Sequence, residues 1–146
     1  MTDQGAASRA PTRDPGSENF PVASRLLAPE MRPKVMGFYR FVRTADDIAD
    51  DPALDAEEKL RRLAVLEAAL DDPATDEPAA IGLHRAGSGT VEARLMLSAF
   101  RQDATQTRYA DWAALEDYCA RSANPVGRML LRLHDETKPE ALAAAD

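Results

Sequence analysis

The stretch Glu30-Met31-Arg32-Pro33-Lys34-Val35-Met36-Gly37-Phe38-Tyr39-Arg40-Phe41-Val42-Arg43-Thr44-Ala45-Asp46-Asp47-Ile48-Ala49-Asp50 decides the fold. Placed on a helix at about 100° per residue, Met31, Val35, Phe38, Val42, Ala45 and Ala49 share one apolar face. Gly37, Phe41 and Ile48 form a smaller apolar strip on the far side. A helix apolar on two sides belongs inside a bundle rather than on its surface. Between these faces runs a polar stripe, Tyr39, Arg43, Asp46 and Asp50, at offsets of 4, 3 and 4. Inside a bundle, that stripe faces a cavity.

The stripe sets an electrostatic problem. Asp46 and Asp50 lie one turn apart on one face and repel as like charges. Partly desolvated, they need a proton, a partner or a metal. Arg43 neutralises one of them. A divalent cation serves both, and oxygen-only donors suit Mg²⁺, which keeps waters and is usually shared with substrate phosphates. Asp47 and Asp51 point about 70–110° away from the stripe and read as solvated helix-end charges. The competing reading is a mere crowd of aspartates at a helix end before Pro52, and spacing alone leaves both open. A calcium loop is excluded, because no register supplies its sixth-position Gly and twelfth-position Glu.

Working outward, the other segments are also helical. Pro21 and Pro29 bracket a short helix over Phe20 to Leu27. Asp55 is an N-cap for Glu57 to Leu70, where Leu60, Leu63, Leu66 and Leu70 follow helical spacing. Residues 71–89, rich in Pro, Gly and Asp, read as loop. Thr90 to Asp103 is helical, with Leu95, Leu97 and Phe100 as core candidates. Asp111 caps a helix running to about Arg132, interrupted at Asn124-Pro125. Residues 1–16 read as a disordered tail. No segment alternates like a strand, so the expected class is all-α. Trp112 and Cys119 are expected in the core, with His84 and His134 at the surface; Tyr109 and Tyr118 are either core or cavity lining.

Composition narrows the function. The 146 residues carry a formal net charge of −7, and residues 46–78 alone hold 12 acidic against 3 basic groups. That balance argues against a nucleic-acid protein. One cysteine permits neither an intrachain disulfide nor a four-cysteine zinc site. No apolar run reaches the roughly 20 residues of a membrane-spanning helix, and no secretory leader is recognisable. A cytoplasmic protein is expected.

Three stretches carry a resemblance. They are Ser17-Glu18-Asn19-Phe20-Pro21 running on to Leu27, Phe38 to Asp51, and Tyr118-Cys119 followed by Ser122-Ala123-Asn124-Pro125-Val126-Gly127. Together and in this order they resemble the squalene/phytoene synthase family of all-α, head-to-head prenyl synthases, most of all its hopanoid-pathway branch. The resemblance implies a helical bundle of the isoprenoid synthase type. It implies that Asp46 and Asp50 form an aspartate-rich motif holding Mg²⁺ against a prenyl diphosphate. It further implies that Tyr39 and Arg43 lie near the diphosphate, Ser17 and Phe20 in a flap over it, and Asn124 to Gly127 at a helix break beside a prenyl tunnel. For the hopanoid branch the implied conversion is presqualene diphosphate to hydroxysqualene. Presqualene diphosphate or phytoene formation is the alternative within the family. An apolar substrate or product implies peripheral membrane association.

The family's second aspartate-rich helix has no counterpart here. Residues 17–146 are therefore expected to be an N-terminal portion, inactive alone. A non-catalytic helical interaction module, with the acidic block as its partner surface, is the reading from another class.

Overall fold

The structure, a computed structural model, describes residues 27–146, and among these every regular element is helical. Seven helices follow in order: α1 Arg32–Asp50, α2 Ala56–Asp71, α3 Pro78–Ala86, α4 Thr90–Asp103, α5 Trp112–Ser122, α6 Asn124–Leu133 and α7 Pro139–Ala143. The all-α bundle expected from the sequence is present. The tail at 1–16, the short helix from Phe20, and the flap residues Ser17 and Phe20 lie outside the described residues.

α1 is the central element. Val35, Phe38, Ala45 and Ala49 are buried on one side and Gly37, Phe41 and Ile48 on the other, as the two-sided pattern requires. Pro33 sits in the first turn, where the missing N–H costs nothing. The helix ends at Asp51, whose backbone turns extended (φ −64°, ψ 112°) because Pro52 disfavours a helical predecessor. Phe41 is completely inaccessible, and burial of such a side chain contributes about 1.5–3 kcal/mol. Thr44 is buried too, and its hydroxyl donates to the Arg40 carbonyl at 2.8 Å, so no polar group is stranded.

The segment 71–89 is not a loop. It contains α3, whose punctuation was mistaken for irregular chain. Pro78 occupies the first turn, the Glu77 carboxylate caps Ala79 N–H at 3.4 Å, and Gly87 ends the helix at φ +67°. That left-handed conformation suits glycine, and its N–H returns to Leu83 and His84 carbonyls. Gly82, which lowered the local helix propensity, is there for packing. A Cβ on Gly37 would stand 2.6 Å from the Gly82 carbonyl oxygen, so α1 and α3 touch backbone to backbone.

Asp55 and Asp111 cap α2 and α5, accepting from Glu58 N–H at 2.9 Å and Ala114 N–H at 2.8 Å. The interruption at Asn124-Pro125 is a break: α5 stops at Ser122 and α6 begins at Asn124 with Pro125 in its first turn. Three core assignments fail: Leu95 is only half-buried on α4 and outside the core cluster, and two others are exposed. Trp112 is 71% exposed, its indole N–H donating to Glu116 at 2.7 Å, and Cys119 is exposed. Both sit on α5, which buries no side chain at all among the described residues. His84, expected at the surface in a loop, is half-buried on α3, with Nε2 2.8 Å from the Ala69 carbonyl.

Candidate diphosphate cleft

Three helices make one cleft. α1 contributes Tyr39, Val42, Arg43 and Asp46, α4 contributes Met96 and Phe100, and α5 contributes Tyr118 and Ser122, around a volume of about 310 Å³. A second, wholly apolar pocket of about 60 Å³ lies beside it, lined by Val35, Phe38, Val126, Met129 and Leu130. Tyr39 and Val42 line both. A cleft of mixed lining that carries Arg43 and Asp46 therefore adjoins a wholly apolar pocket, an arrangement that suits a ligand with a charged head and a hydrocarbon tail.

Charge in the cleft is organised by Arg43. Its guanidinium reaches Asp46 Oδ2 at 2.5 Å and Asp47 Oδ1 at 2.8 Å, and its side chain is only 14% exposed. The Nε–H is buried with no hydrogen-bond partner among the described residues. Such an orphaned donor is costly. The reading of Asp47 as a solvated charge is thus corrected. A guanidinium forks, so one arginine at i serves carboxylates at both i+3 and i+4.

The acidic end of α1 is electrostatically unfavourable as it stands. Asp46, Asp47 and Asp50 crowd the last two turns, where the helix dipole is negative, and no basic residue lies in the last turn. Arg43 compensates part of this charge. Asp50 is exposed at the rim of α1, and its charge reaches Asp103 on α4. Burial and the Asp50 charge push the Asp103 carboxyl above the usual carboxylate range, against a lowering hydrogen bond from Tyr118. Tyr118, half-buried and donating to Asp103 Oδ2 at 2.8 Å, is held as a neutral phenol.

No group of three or more His, Cys, Asp or Glu able to hold a metal exists among the described residues. The donor chemistry nevertheless fits Mg²⁺, which binds through one or two carboxylates plus waters and substrate phosphates rather than in an all-protein cage. Asp46 and Asp50, one turn apart on α1, are the two carboxylates that would serve in that way.

The sequence-derived candidates are placed as follows. Tyr39, Arg43 and Asp46 come together in the cleft, and Asp50 lies one turn beyond. Asn124 opens α6, while Gly127 packs against Ala145, where a Cβ would come within 3.1 Å. The apolar pocket draws instead on their neighbours Val126, Met129 and Leu130. Met96, Phe100, Ser122 and Asp103 were not anticipated around the cleft. They stand on helices whose relation to α1 no spacing rule reveals; only Tyr118, whose aromatic ring allowed a lining role, carried a signal.

The family model described as squalene/phytoene synthase matches residues 14–146. A hydroxysqualene synthase of Rhodopseudomonas palustris is 47% identical over 124 residues, covering 82% of this chain and 42% of the relative. One from Zymomonas mobilis is 42% identical over 127 residues, covering 83% and 43%. A phytoene synthase of Cereibacter sphaeroides is 32% identical over 144 residues, covering 89% and 41%. No solved structure matches significantly. The chain thus spans about two fifths of the length of these curated relatives. With the family model running from residue 14 to residue 146 and a charged cleft set beside an apolar pocket on α1, the chain belongs to the squalene/phytoene synthase family.

Proposed function

We propose that this chain forms the diphosphate-binding wall of a hydroxysqualene-synthase-type enzyme of hopanoid biosynthesis, acting on presqualene diphosphate in the cytoplasm, at the membrane surface where its apolar product dissolves. The observation that carries the reading is the junction at Tyr39 and Val42 of the Arg43–Asp46 cleft with the apolar pocket. The 42–47% identity to proteins named hydroxysqualene synthase favours this branch over phytoene synthases, at 30–32%.

Each residue then has a physical task. The Arg43 fork donates to non-bridging diphosphate oxygens, and its half-desolvated position strengthens those bonds. The Tyr39 hydroxyl, at the junction, orients the ester oxygen between head and tail. Val35, Phe38, Met129 and Leu130 take the hydrocarbon and shield the cationic carbon left when the C–O bond breaks until it has rearranged, after which one water adds to the cation and loses a proton to give hydroxysqualene. Phe100 and Tyr118 offer aromatic faces to that positive charge. Asp46 and Asp50 would hold Mg²⁺, which when bound supplies charge stabilisation for the departing diphosphate. Ser17 and Phe20 are assigned to a flap over the diphosphate, and Asn124 and Gly127 to the turn that sets Val126 and Leu130 at the pocket.

The test joins residues 1–146 to the remaining part of the Rhodopseudomonas palustris relative and supplies presqualene diphosphate with Mg²⁺. Hydroxysqualene is the expected product. Phytoene from geranylgeranyl diphosphate would move the chain to the other branch, and no prenyl product from any diphosphate would overturn the reading.

A further inference from the structure

α5 is attached in an unusual way. It buries no side chain completely, Leu115 and Tyr118 being only half-buried, so its apolar anchorage to the bundle is shallow. Polar contacts to α4 add to it. Arg121 donates to Gln102 Oε1 at 2.5 Å and to Ser98 Oγ at 3.3 Å. One turn earlier on α5, the Tyr118 hydroxyl donates to Asp103 Oδ2 at 2.8 Å, and Tyr109 packs against the Tyr118 ring, tilted by 51° at a centroid separation of 5.2 Å. The first clamp holds the helix. The second holds one ring, and that ring lines the cleft.

The acceptor in the second clamp is chemically expensive. Asp103 is partly desolvated and stands within the field of Asp50, a like charge. An asparagine would accept the same hydrogen bond without that cost. A carboxylate acceptor is worth having where it polarises the donor, because a charge-assisted bond draws the phenolic hydrogen away and leaves the oxygen and ring richer in electrons. An electron-rich ring on a cleft wall favours a cationic centre opposite it.

We propose that Asp103 is a positioning residue: by accepting the Tyr118 hydroxyl hydrogen it fixes that ring at the cleft wall and enriches it for a cationic reaction centre. This rests on the function proposed above, and the two can fail separately. Asp103 touches no part of the cleft itself; it acts through Tyr118.

Two measurements decide it. In the 146-residue chain labelled with 3-fluorotyrosine, with Tyr39→Phe and Tyr109→Phe variants assigning the resonances, Asp103→Ala should shift and broaden the Tyr118 ¹⁹F signal. Asp103→Asn should leave that signal sharp, because the hydrogen bond still holds the ring, but displaced from its original position, because the charge that enriches the ring is gone. A Tyr118 resonance indifferent to Asp103→Ala overturns the positioning, whether or not the enzyme reading holds. In the chimera that supplies the remaining part, Asp103→Ala should lower kcat about 10- to 100-fold, the scale of a catalytic group displaced by about an ångström, with KM within about threefold. Asp103→Asn should restore kcat to within about fivefold of the parent, and Asp103→Ala should add nothing in a Tyr118→Phe background. Equal losses for Ala and Asn, an additive double variant, or a change in KM alone would overturn the proposal. If the chimera makes no prenyl product, the proposed function fails and the fluorine signals still decide the role of Asp103.

Discussion

Substituting alanine at Gly37 and at Gly82 should have opposite effects, although these glycines face each other across one helix contact. A Cβ on Gly37 would lie 2.6 Å from the Gly82 oxygen, 3.1 Å from its carbonyl carbon and 3.3 Å from Ala86 Cβ. The first two are backbone atoms in a helix, so relief requires α1 and α3 to separate. Overpacking of this kind costs typically 1–3 kcal/mol, and the upper part of that range applies where backbone opposes backbone. Alanine returns about 1 kcal/mol through better helix propensity, leaving a net loss of about 2 kcal/mol for Gly37→Ala. On Gly82 the nearest atom to a new Cβ is Gly37 Cα at 3.8 Å, an ordinary contact. There the propensity gain stands alone, and Gly82→Ala should be neutral or stabilising by up to about 1 kcal/mol. Since 1 kcal/mol shifts Tm by about 2–4 °C at this chain length, thermal unfolding should show a drop of about 4–8 °C for Gly37→Ala and a rise of up to about 4 °C for Gly82→Ala. Urea denaturation at fixed slope provides the independent check. Equal stability of the two variants, or a Gly82→Ala loss exceeding that of Gly37→Ala, would refute the close approach of α1 and α3.

Further consequences are equally specific. Arg43→Ala should weaken Mg²⁺-dependent binding of inorganic pyrophosphate by about 10- to 100-fold in calorimetry, the scale of a charge-assisted hydrogen bond; unchanged affinity would remove Arg43 from the site. Glu58 is held at a pKa of about 2, chiefly by hydrogen bonds from Arg61 and Arg62. Its folded value lies below its unfolded one, so its contribution is present above pH about 4.5 and is lost as pH falls toward 2. Glu58→Gln should therefore lower Tm slightly at pH 7, less at high salt because the group is exposed, and not at all near pH 2. Cys119, exposed on α5, should react with a thiol reagent in the folded chain at nearly the rate of a free thiol; protection would show that α5 is covered. The single tryptophan, Trp112, should be open to acrylamide quenching, because 71% of it is accessible.

The sequence made the fold legible where one helix carried the information. Two apolar sides on 30–50 placed α1 inside the bundle, and Asp55 and Asp111 marked helix starts because a short acidic side chain at an N-cap has a local partner. Local signals failed where the deciding contact was tertiary. Pro78, Gly82 and Gly87 read as loop residues because nothing in 71–89 announces that Gly82 will meet Gly37. Trp112 and Cys119 read as core residues because hydrophobicity does not say which helix lies at the edge. Within the site, the Tyr39–Arg43–Asp46–Asp50 stripe was visible from helical spacing, which orders residues along one face. The opposite wall of Met96, Phe100, Tyr118 and Ser122 was not, since it depends on how α4 and α5 cross α1. The pairing of Asp47 with Arg43 escaped for a smaller reason: a wheel tracks Cα directions, and a long guanidinium reaches past them.

The central claim is that the stripe on α1 holds the diphosphate end of a prenyl substrate. Its most direct test compares Asp46→Asn, Asp50→Asn and Asp47→Asn in the chimera, measuring hydroxysqualene formed from presqualene diphosphate at saturating Mg²⁺. Asp46→Asn and Asp50→Asn should each lose at least about 100-fold in turnover, as expected for removing a group that stabilises a leaving charge. Asp47→Asn, which keeps Arg43 paired to Asp46, should stay within about fivefold of the parent on the same scale. Full activity in either Asp46→Asn or Asp50→Asn, or a larger loss at Asp47, would contradict the account.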